Sequence, residues 1–313
     1  MPWLHGLSAP RSGNPNMIFE SFKVSGKNAL VTGSSRGLGA AIALALAEAG
    51  ANVGLHGRSA GAEAGCEKIR HFGRKSFYQA GDVSDPQVCS TLITKTINEF
   101  GSIDILINNA GIIRRAPAAE YPQAHWDELI ATNLSAVFRL SQLAGQQMLE
   151  RKQGGKIVNI ASLLSFQGGI LVPAYAAAKG GVAQLTKALA NEWARFGINV
   201  NAIAPGYMAT DNTEALRNDP ERSRQIMERI PAGRWGTPQD VAGAALFLSS
   251  PAADYIHGHV LVVDRDRVNT DRKFVPSLVT EKSSPLRRVR RLHGARNRAV
   301  FTTKFATRLV AVQ

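Results

Sequence analysis

Short apolar runs alternate with longer alanine-rich stretches of helical period through residues 28–264 of this 313-residue chain. Several of the runs are apolar throughout, as in strands that are buried on both faces of a sheet. This alternation is typical of a parallel sheet that is covered by helices on both sides. The sequence therefore predicts an α/β fold, with a doubly wound parallel seven-stranded sheet in a single domain.

The element boundaries follow from the runs and from the residues between them. The predicted strands are Ala29–Thr32, Ala51–Leu55, Lys75–Gln79, Ile103–Asn108, Lys156–Ile160, Asn199–Ile203 and Val260–Val263. The predicted helices are Leu38–Ala49, Ala62–Phe72, Gln87–Phe100, Gln123–Glu150, Ala174–Phe196 and Pro238–Leu248.

The net charge of +13 lies mostly at one end of the chain, because residues 265–313 hold 13 Lys and Arg against 3 Asp and Glu. We expect a domain over residues 17–264 and a basic, atypical and disordered tail over 265–313. The abrupt change of composition favours a change of reading frame over a genuine basic appendage. Aromatic residues are not interleaved with the arginines for base stacking, which argues against a nucleic-acid partner.

Residues 1–16 are rich in Pro, Gly and Ser and precede a second methionine, Met17. We interpret them as a disordered extension or a misplaced start. Two cysteines, Cys66 and Cys89, lack the paired spacing of a zinc site and suit a reducing compartment, and no metal is predicted. No uncharged apolar run approaches the length of a membrane span. The expected location is cytoplasmic, with no membrane partner.

The segment Thr32–Gly39 reads T-G-S-S-R-G-L-G and lies between a predicted strand and a predicted helix. Glycines let the backbone approach a pyrophosphate, whose charge the helix amino terminus favours. The context fits a dinucleotide-binding loop, although a purely structural turn can have the same local pattern.

Further polar residues follow the later strands: Asn108–Gly111 (N-N-A-G), Ser162, Tyr175 with Lys179 four residues later, and Pro205-Gly206. They lie at the carboxyl ends of strands or at the start of the next helix, where open α/β sheets bind ligands. In order and spacing, the chain resembles the short-chain dehydrogenase/reductase family across residues 24–264. The resemblance implies a Rossmann-type fold, a nicotinamide cofactor and oxidoreductase activity.

The resemblance also implies a set of cofactor contacts. Gly33, Gly37 and Gly39 are expected at the pyrophosphate. Asp82 is expected at the adenine and Asn109 at the ribose. The nicotinamide carboxamide is expected beside Pro205, Gly206 and Thr210. Further expected contacts are Ser35, Arg36, Leu38, Arg58, Val83, Ala110, Gly111, Tyr175 and Lys179. A turn or helix cap is the alternative role for Asp82.

The residues after the second predicted strand bear on the choice between NAD and NADP. A carboxylate there holds the ribose 2′-hydroxyl of NAD, whereas a basic residue suits the 2′-phosphate of NADP. The chain reads Leu55-His56-Gly57-Arg58-Ser59, without a carboxylate. Arg58 favours NADP, the resemblance favours NAD, and an arginine that stacks on adenine or points to solvent is an equal alternative. The predicted cofactor is NAD or NADP.

Hydride transfer at a carbon that bears oxygen needs a matched proton transfer, and a tyrosine with a pKa of ~10 is a weak base at neutral pH. Tyr175 and Lys179 share one helix face, so we expect the lysine cation to lower the pKa of the phenol. The resemblance implies that Ser162 orients the substrate oxygen and that Lys179 also binds the nicotinamide ribose. It assigns Asn133 to a water in a proton relay, although a mid-helix asparagine can also cap or bend its helix.

Within the family, longer stretches resemble the sugar-acid dehydrogenases of 2-deoxy-D-gluconate or 2-dehydro-3-deoxy-D-gluconate. These stretches are residues 111–115, 160–169, 201–213 and 229–236. A hexonate has a carboxylate, with which Arg114 and Arg115 after the fourth strand can pair, although an exposed loop or a subunit contact explains them equally. Further candidates for the substrate pocket are Ser162, Gln167, Tyr207 and Met208.

Residues 207–236 are expected to form a mobile lid over the substrate. Alternatives to a sugar-acid substrate are a 3-oxoacyl thioester or a polyol, and an inactive dinucleotide-binding protein is a further alternative. The resemblance implies a homotetramer that packs through the helices predicted over residues 123–150 and 174–196.

Overall fold

The structure, a computed structural model, describes residues 18–60, 63–228, 230 and 232–264. The predicted amino-terminal extension and basic tail, residues 1–16 and 265–313, lie outside the described residues. The strands are β1 (Asn28–Val31), β2 (Asn52–Gly57), β3 (Ser76–Ala80), β4 (Ile105–Asn108), β5 (Gly155–Ile160), β6 (Ile198–Pro205) and β7 (Val260–Val263). The helices are α1 (Gly37–Glu48), α2 (Glu63–His71), α3 (Pro86–Phe100), α4 (Gln123–Ile130), α5 (Ala136–Arg151), α6 (Pro173–Trp193), α7 (Glu214–Arg217), α8 (Pro220–Met227) and α9 (Pro238–Ser249).

The seven strands form one sheet in the order β3-β2-β1-β4-β5-β6-β7, and every neighbouring pair is parallel. The predicted fold class is confirmed. The strand order reverses direction between β1 and β4, and a crevice opens at such a switch point outside the carboxyl ends of the strands. The glycine loop after β1 and the N-N-A-G segment after β4 therefore meet there.

Helices cover both faces of the sheet, and each face has its own apolar core. On one face α1 and α9 pack on the sheet through residues such as Ile42, Leu46 and Val241. On the other face α3, α5 and α6 pack through residues such as Leu92, Leu140 and Leu189. Because both faces are covered, β1, β4 and β6 are buried along their whole length.

Local capping explains where α3 begins and ends. The Asp85 carboxylate accepts the amide hydrogen of Gln87, and Pro86 occupies the first helical turn, where no amide donor is needed. Gly101 ends the helix in the left-handed conformation at φ +87°, which glycine adopts without strain.

Two regions differ from the predicted elements. The single helix expected over Gln123–Glu150 is instead α4, a π-helical turn at Ala131–Ser135, and α5. Residues 207–236, where a mobile lid was expected and no helix was predicted, contain α7 and α8, and a β-bridge joins Met208 to Gly236. Asp219 caps α8 by accepting the amide hydrogens of Glu221 and Arg222. Within the described part of the chain, no helix is long and apolar enough to cross a membrane.

Candidate active site

A cleft of about 890 Å³ opens at the switch point of the sheet. It extends from the glycine loop and the end of β2 to Ser162, Tyr175 and Lys179, and it is bordered by the segment after β6. Its volume lies in the range of cavities that hold cofactors and small substrates. The residues that the sequence assigns to the glycine loop and to the chemistry therefore share one cavity.

The glycine loop is packed so tightly that side chains have no room at two positions. Gly33 has φ +63°, and a Cβ there would lie 2.8 Å from the Cα of Ala110. A Cβ on Gly39 would overlap the carbonyl oxygen of Gly33. The Asn109 side-chain amide holds the loop, because it donates hydrogen bonds of 2.9 Å to the carbonyls of Thr32 and Gly33. The loop thus leads into the amino terminus of α1, and its backbone faces the cleft without intervening side chains at the glycines. A pyrophosphate needs such an arrangement to contact the backbone amides.

Asp82 and Arg58 border the far end of the cleft, together with Lys68 of α2. The Asp82 carboxylate accepts the amide hydrogen of Ser84 at 2.9 Å, so it caps a turn and faces the cleft as well. Burial raises the pKa of Asp82, but hydrogen bonds from Ser84 and the charge of Arg58 outweigh burial and hold that pKa below its ordinary value. This end of the cleft combines one carboxylate with two side-chain cations.

Tyr175 and Lys179 lie one turn apart near the start of α6, with the lysine nitrogen 5.6 Å from the centre of the tyrosine ring. The Lys179 ammonium donates a 2.6 Å hydrogen bond to the carbonyl of Ile160, at the end of β5. Lys179 is buried, and desolvation lowers its pKa from 10.5 to about 8. The end of β5 therefore holds the lysine in the cleft, where burial makes the charged form of the amine less stable than in water.

The prediction that the pKa of Tyr175 is lowered is wrong for the protein without a bound cofactor. Burial raises the pKa of this phenol, and the opposing effects of hydrogen bonding to Ser162 and of the Arg115 charge are smaller. Desolvation disfavours the phenolate, whose charge would have to be taken out of water. At neutral pH the hydroxyl therefore keeps its proton, and it lies within hydrogen-bonding reach of Ser162.

Asn133 lies in the π-helical turn between α4 and α5 and is fully buried. Its side-chain oxygen accepts the amide hydrogen of Ile112 at 2.8 Å, and its side-chain nitrogen donates to the carbonyl of Ile112 at the same distance. It does not line the cleft, whereas its neighbour Thr132 does. The Asn133 side chain thus anchors the loop after β4, and the water-mediated role predicted for it stays a prediction.

Arg114 and Arg115 both line the cleft, but their environments differ. Arg114 forms a two-point pair with Glu128 of α4, at 3.0 Å from Nε and 2.7 Å from Nη2. Arg115 forms no ion pair with any residue that the structure describes, and its charge acts on Tyr175. Of the two arginines predicted to pair with a substrate carboxylate, Arg115 is therefore the one whose charge no described carboxylate neutralises.

The structure brings most of the predicted site together. All predicted cofactor contacts line the cleft except Gly39, which packs behind the loop against Gly33. Met208 also lines it. Gln167 is exposed on the loop after β5 and Tyr207 packs edge-on against Trp235 at 5.7 Å, so neither lies on the cleft wall. These two substrate candidates are not supported by their positions.

Three residues of the site were missed at the level of sequence. Lys68 carries no motif, because its place in the cleft depends on how α2 packs beside β2. Glu128 is the partner of Arg114 across fourteen residues, on a helix whose interruption was not predicted. His56 is buried at the end of β2 and bonds the glycine loop. Its position immediately before Gly57-Arg58 was the signal that could have indicated it.

Comparison with known proteins agrees with this geometry. A family profile described as enoyl-(acyl carrier protein) reductase matches residues 33–265. A 2-dehydro-3-deoxy-D-gluconate 5-dehydrogenase of Dickeya dadantii is 50% identical over 249 residues, which cover 79% of this chain and 98% of that protein.

Solved structures agree as well. A protein of Agrobacterium tumefaciens, provisionally assigned as a 2-deoxy-D-gluconate 3-dehydrogenase and solved with bound NADP, is 53% identical with a TM-score of 0.73; the match covers 78% of this chain and 97% of that one. A gluconate 5-dehydrogenase of Burkholderia cenocepacia, in complex with NADP and tartrate, is 39% identical with a TM-score of 0.76, over 79% of this chain and 97% of that one.

Proposed function

The chain belongs to the short-chain dehydrogenase/reductase family, and on that premise we propose that it interconverts a secondary alcohol and a ketone of a sugar acid with NAD or NADP. The observation that carries the proposal is that the glycine loop, Ser162, Tyr175, Lys179 and Arg115 line one cleft, where Arg115 forms no ion pair with a described residue. The substrate is of the 2-deoxy-D-gluconate or 2-dehydro-3-deoxy-D-gluconate type. A relative named for the second substrate and a solved structure assigned to the first support this choice. A solved gluconate 5-dehydrogenase supports the broader class of sugar acids, and both of these structures hold NADP.

The bound nicotinamide supplies the hydride acceptor or donor, and the residues of the cleft manage the proton. In the alcohol-to-ketone direction, Tyr175 must first lose its own proton, and the phenolate oxygen then takes the proton of the substrate hydroxyl. In the reverse direction, the Tyr175 hydroxyl gives its proton to the substrate oxygen. The raised pKa of Tyr175 keeps the hydroxyl protonated at neutral pH, which suits the donation that ketone reduction requires. Ser162 orients the substrate oxygen beside the phenol.

Lys179 contributes charge rather than a proton-transfer atom of its own. Its ammonium lies 5.6 Å from the centre of the Tyr175 ring, and its positive charge stabilises the phenolate once the phenol proton has left. Its hydrogen bond to Ile160 fixes the ammonium at the end of β5, so the positive charge does not have to be rearranged during the reaction. We propose that Asn133 also serves the proton relay, and that it does so by anchoring the loop after β4 through its two hydrogen bonds to Ile112.

A panel of substrates tests the function directly. We expect absorbance changes at about 340 nm with hexonates or keto-sugar acids and NAD or NADP, because the reduced nicotinamide absorbs there. The uncharged sugar or polyol that matches each acid is the control, and a 3-oxoacyl thioester tests the alternative substrate class. Turnover of the thioester or polyol with none of the acids would contradict the proposal, and so would cofactor binding without any turnover.

Replacing Arg115 with alanine is expected to raise KM for a sugar acid by about 10-fold or more, because a charge-assisted bond to the carboxylate is lost. KM for the matched uncharged polyol should change little. Initial rates over a range of concentrations of each substrate measure both values. Arg114→Ala is the neighbouring control. Because the Arg114 guanidinium is paired with Glu128, this substitution should change KM for the acid and KM for the polyol by the same factor. Equal effects of Arg115→Ala on both substrates would remove Arg115 from the substrate site.

We propose NADP as the preferred cofactor, since Arg58 and Lys68 border the same end of the cleft and no carboxylate stands among residues 55–59. Arg58→Ala should raise KM for NADP by about 10-fold and leave KM for NAD within about 2-fold, because only NADP has the 2′-phosphate. The control is Lys187→Ala, which removes an exposed cation of α6. Parallel losses for both cofactors would indicate that Arg58 stacks on adenine instead.

We also propose a homotetramer that packs through α4, α5 and α6. Trp126 on α4 and Phe138 on α5 are exposed, as is Phe196 just after α6. Light scattering coupled to size-exclusion chromatography measures the assembly, and a monomer would contradict it. The cytoplasmic location and the single domain over residues 17–264 stay predictions.

A further inference from the structure

His56 is a buried titratable residue that the proposed chemistry does not use. It lies in β2 with only 2% of its surface exposed, one residue before the end of the strand. Both ring nitrogens are engaged: Nδ1 lies 3.1 Å from the amide nitrogen of Gly33, and Nε2 lies 3.0 Å from the carbonyl oxygen of Gly81. One side chain therefore connects the loop after β1 with the turn after β3.

The two partners fix the protonation state of the ring. The Gly33 amide can only donate, so Nδ1 must accept and carry no proton. The Gly81 carbonyl can only accept, so Nε2 carries the proton and donates. The neutral imidazole satisfies both contacts, whereas the doubly protonated ring would set two donors against each other at Gly33. Burial lowers the pKa of His56, against the opposing effects of the Gly81 carbonyl and the Asp82 carboxylate, in agreement with a neutral ring.

The backbone of His56 strengthens the same connection. Its amide donates to the Ser34 hydroxyl at 2.9 Å, and its carbonyl accepts the Ser34 amide hydrogen at 2.7 Å. On the other side, the Gly81 amide donates to the Gly57 carbonyl at 3.0 Å. Gly81 directly precedes Asp82, which borders the adenine end of the cleft. The glycine loop and the Asp82 turn are thus held to one residue of the strand between them.

We propose that His56 is a positioning residue of the cofactor site, whose neutral ring sets the spacing between the phosphate-binding glycine loop and the turn that presents Asp82. The inference rests on the proposed function only in that the cleft binds a dinucleotide. Because His56 satisfies the amides of Gly33 and Ser34 through its ring and its carbonyl, only the amides that follow Ser34 in the loop are left for the pyrophosphate. His56 contacts no reacting atom, so its effect should fall on cofactor affinity rather than on the turnover rate.

The test compares three substitutions in the full-length chain. His56→Leu keeps a side chain of similar size and removes both ring hydrogen bonds. We expect the dissociation constant and KM for NADPH to rise about 10-fold. The value of kcat at saturating cofactor should stay within about 2-fold of wild type. His56→Asn places an amide near the Nδ1 position and should regain most of the affinity through Gly33. His56→Gln reaches the Nε2 position instead and should bind more weakly than His56→Asn.

Fluorescence titration with NADPH measures affinity without turnover, and initial rates give KM and kcat. Thr96→Val is the matched control, because it removes a buried hydroxyl from α3, away from the cleft, and should lower thermal stability without changing NADPH affinity. Wild-type affinity in His56→Leu would overturn the proposal. If that variant does not fold, equal affinities of the Asn and Gln variants would overturn it. Failure of the wild-type chain to bind NADPH would instead contradict the proposed function.

Discussion

Tyr175→Phe should lower kcat by about 1,000-fold, within the range that general acid–base groups contribute. The substitution removes one oxygen and keeps the ring, which packs against a buried cluster of Leu129, Ala174 and Ala178. Without that oxygen, the substrate has no group beside Ser162 that can take or give its proton. Because the ring stays, NADPH affinity should remain within a few-fold of wild type. Initial rates with the best sugar acid and fluorescence titration with NADPH measure the two quantities.

Tyr207→Phe is the matched control for that experiment. Tyr207 packs against Trp235 and does not line the cleft, so loss of its hydroxyl should leave kcat nearly unchanged. If Tyr175→Phe kept more than about a tenth of the wild-type kcat, the proton would have to pass through another group, and the assignment of Tyr175 would be wrong.

Lys179→Met should also lower kcat by about 100-fold or more, because the only change beside the phenol is loss of the ammonium. The same substitution has a pH-dependent effect on stability. The pKa of Lys179 is about 8 in the folded protein and near the ordinary value of ~10.4 when unfolded, so the unfolded chain binds more protons between these values. Burial of this lysine thus costs stability at neutral pH, and the cost is relieved as the pH rises.

The expected result is that the free energy of unfolding of wild type, relative to Lys179→Met, rises by about 2 kcal/mol between pH 7 and pH 10. Urea denaturation of both proteins at several pH values measures it. Lys187→Met, which removes an exposed lysine of the same helix, controls for the change in net charge. A difference that stayed constant with pH would show that Lys179 is not desolvated in the folded protein.

The fold could be predicted because its signals are local and redundant. The buried strands β1, β4 and β6 consist mostly of apolar residues, and β7 has the predicted bounds. The helix over residues 123–150 was predicted without its interruption, because a π-helical turn has no composition signal; it arises here where the Asn133 side chain bonds Ile112. Likewise, α7 and α8 are short and polar, and they depend on caps such as Asp219 rather than on a long apolar face.

The site was predictable where a motif fixes both residue type and spacing, as for Tyr175 and Lys179, which lie on one helix beside Ser162. It was not predictable where a distant partner decides the role of a side chain. Arg114 and Arg115 are indistinguishable in sequence, and Glu128 separates them by pairing with the first. The pKa of Tyr175 was misjudged because the sequence does not show the burial of the phenol, which raises that pKa by more than Ser162 and Arg115 lower it.

Deuterium transfer tests the central claim most directly. The full-length protein is incubated with a keto-sugar acid and NADPH that carries deuterium at both C4 positions, and the hydroxy acid formed is analysed by mass spectrometry. We predict one deuterium on the carbinol carbon of the product with wild type, and about 1,000-fold less labelled product in the same time with Tyr175→Phe. A hydroxy acid without deuterium, or labelled product in equal amounts from both proteins, would contradict the account.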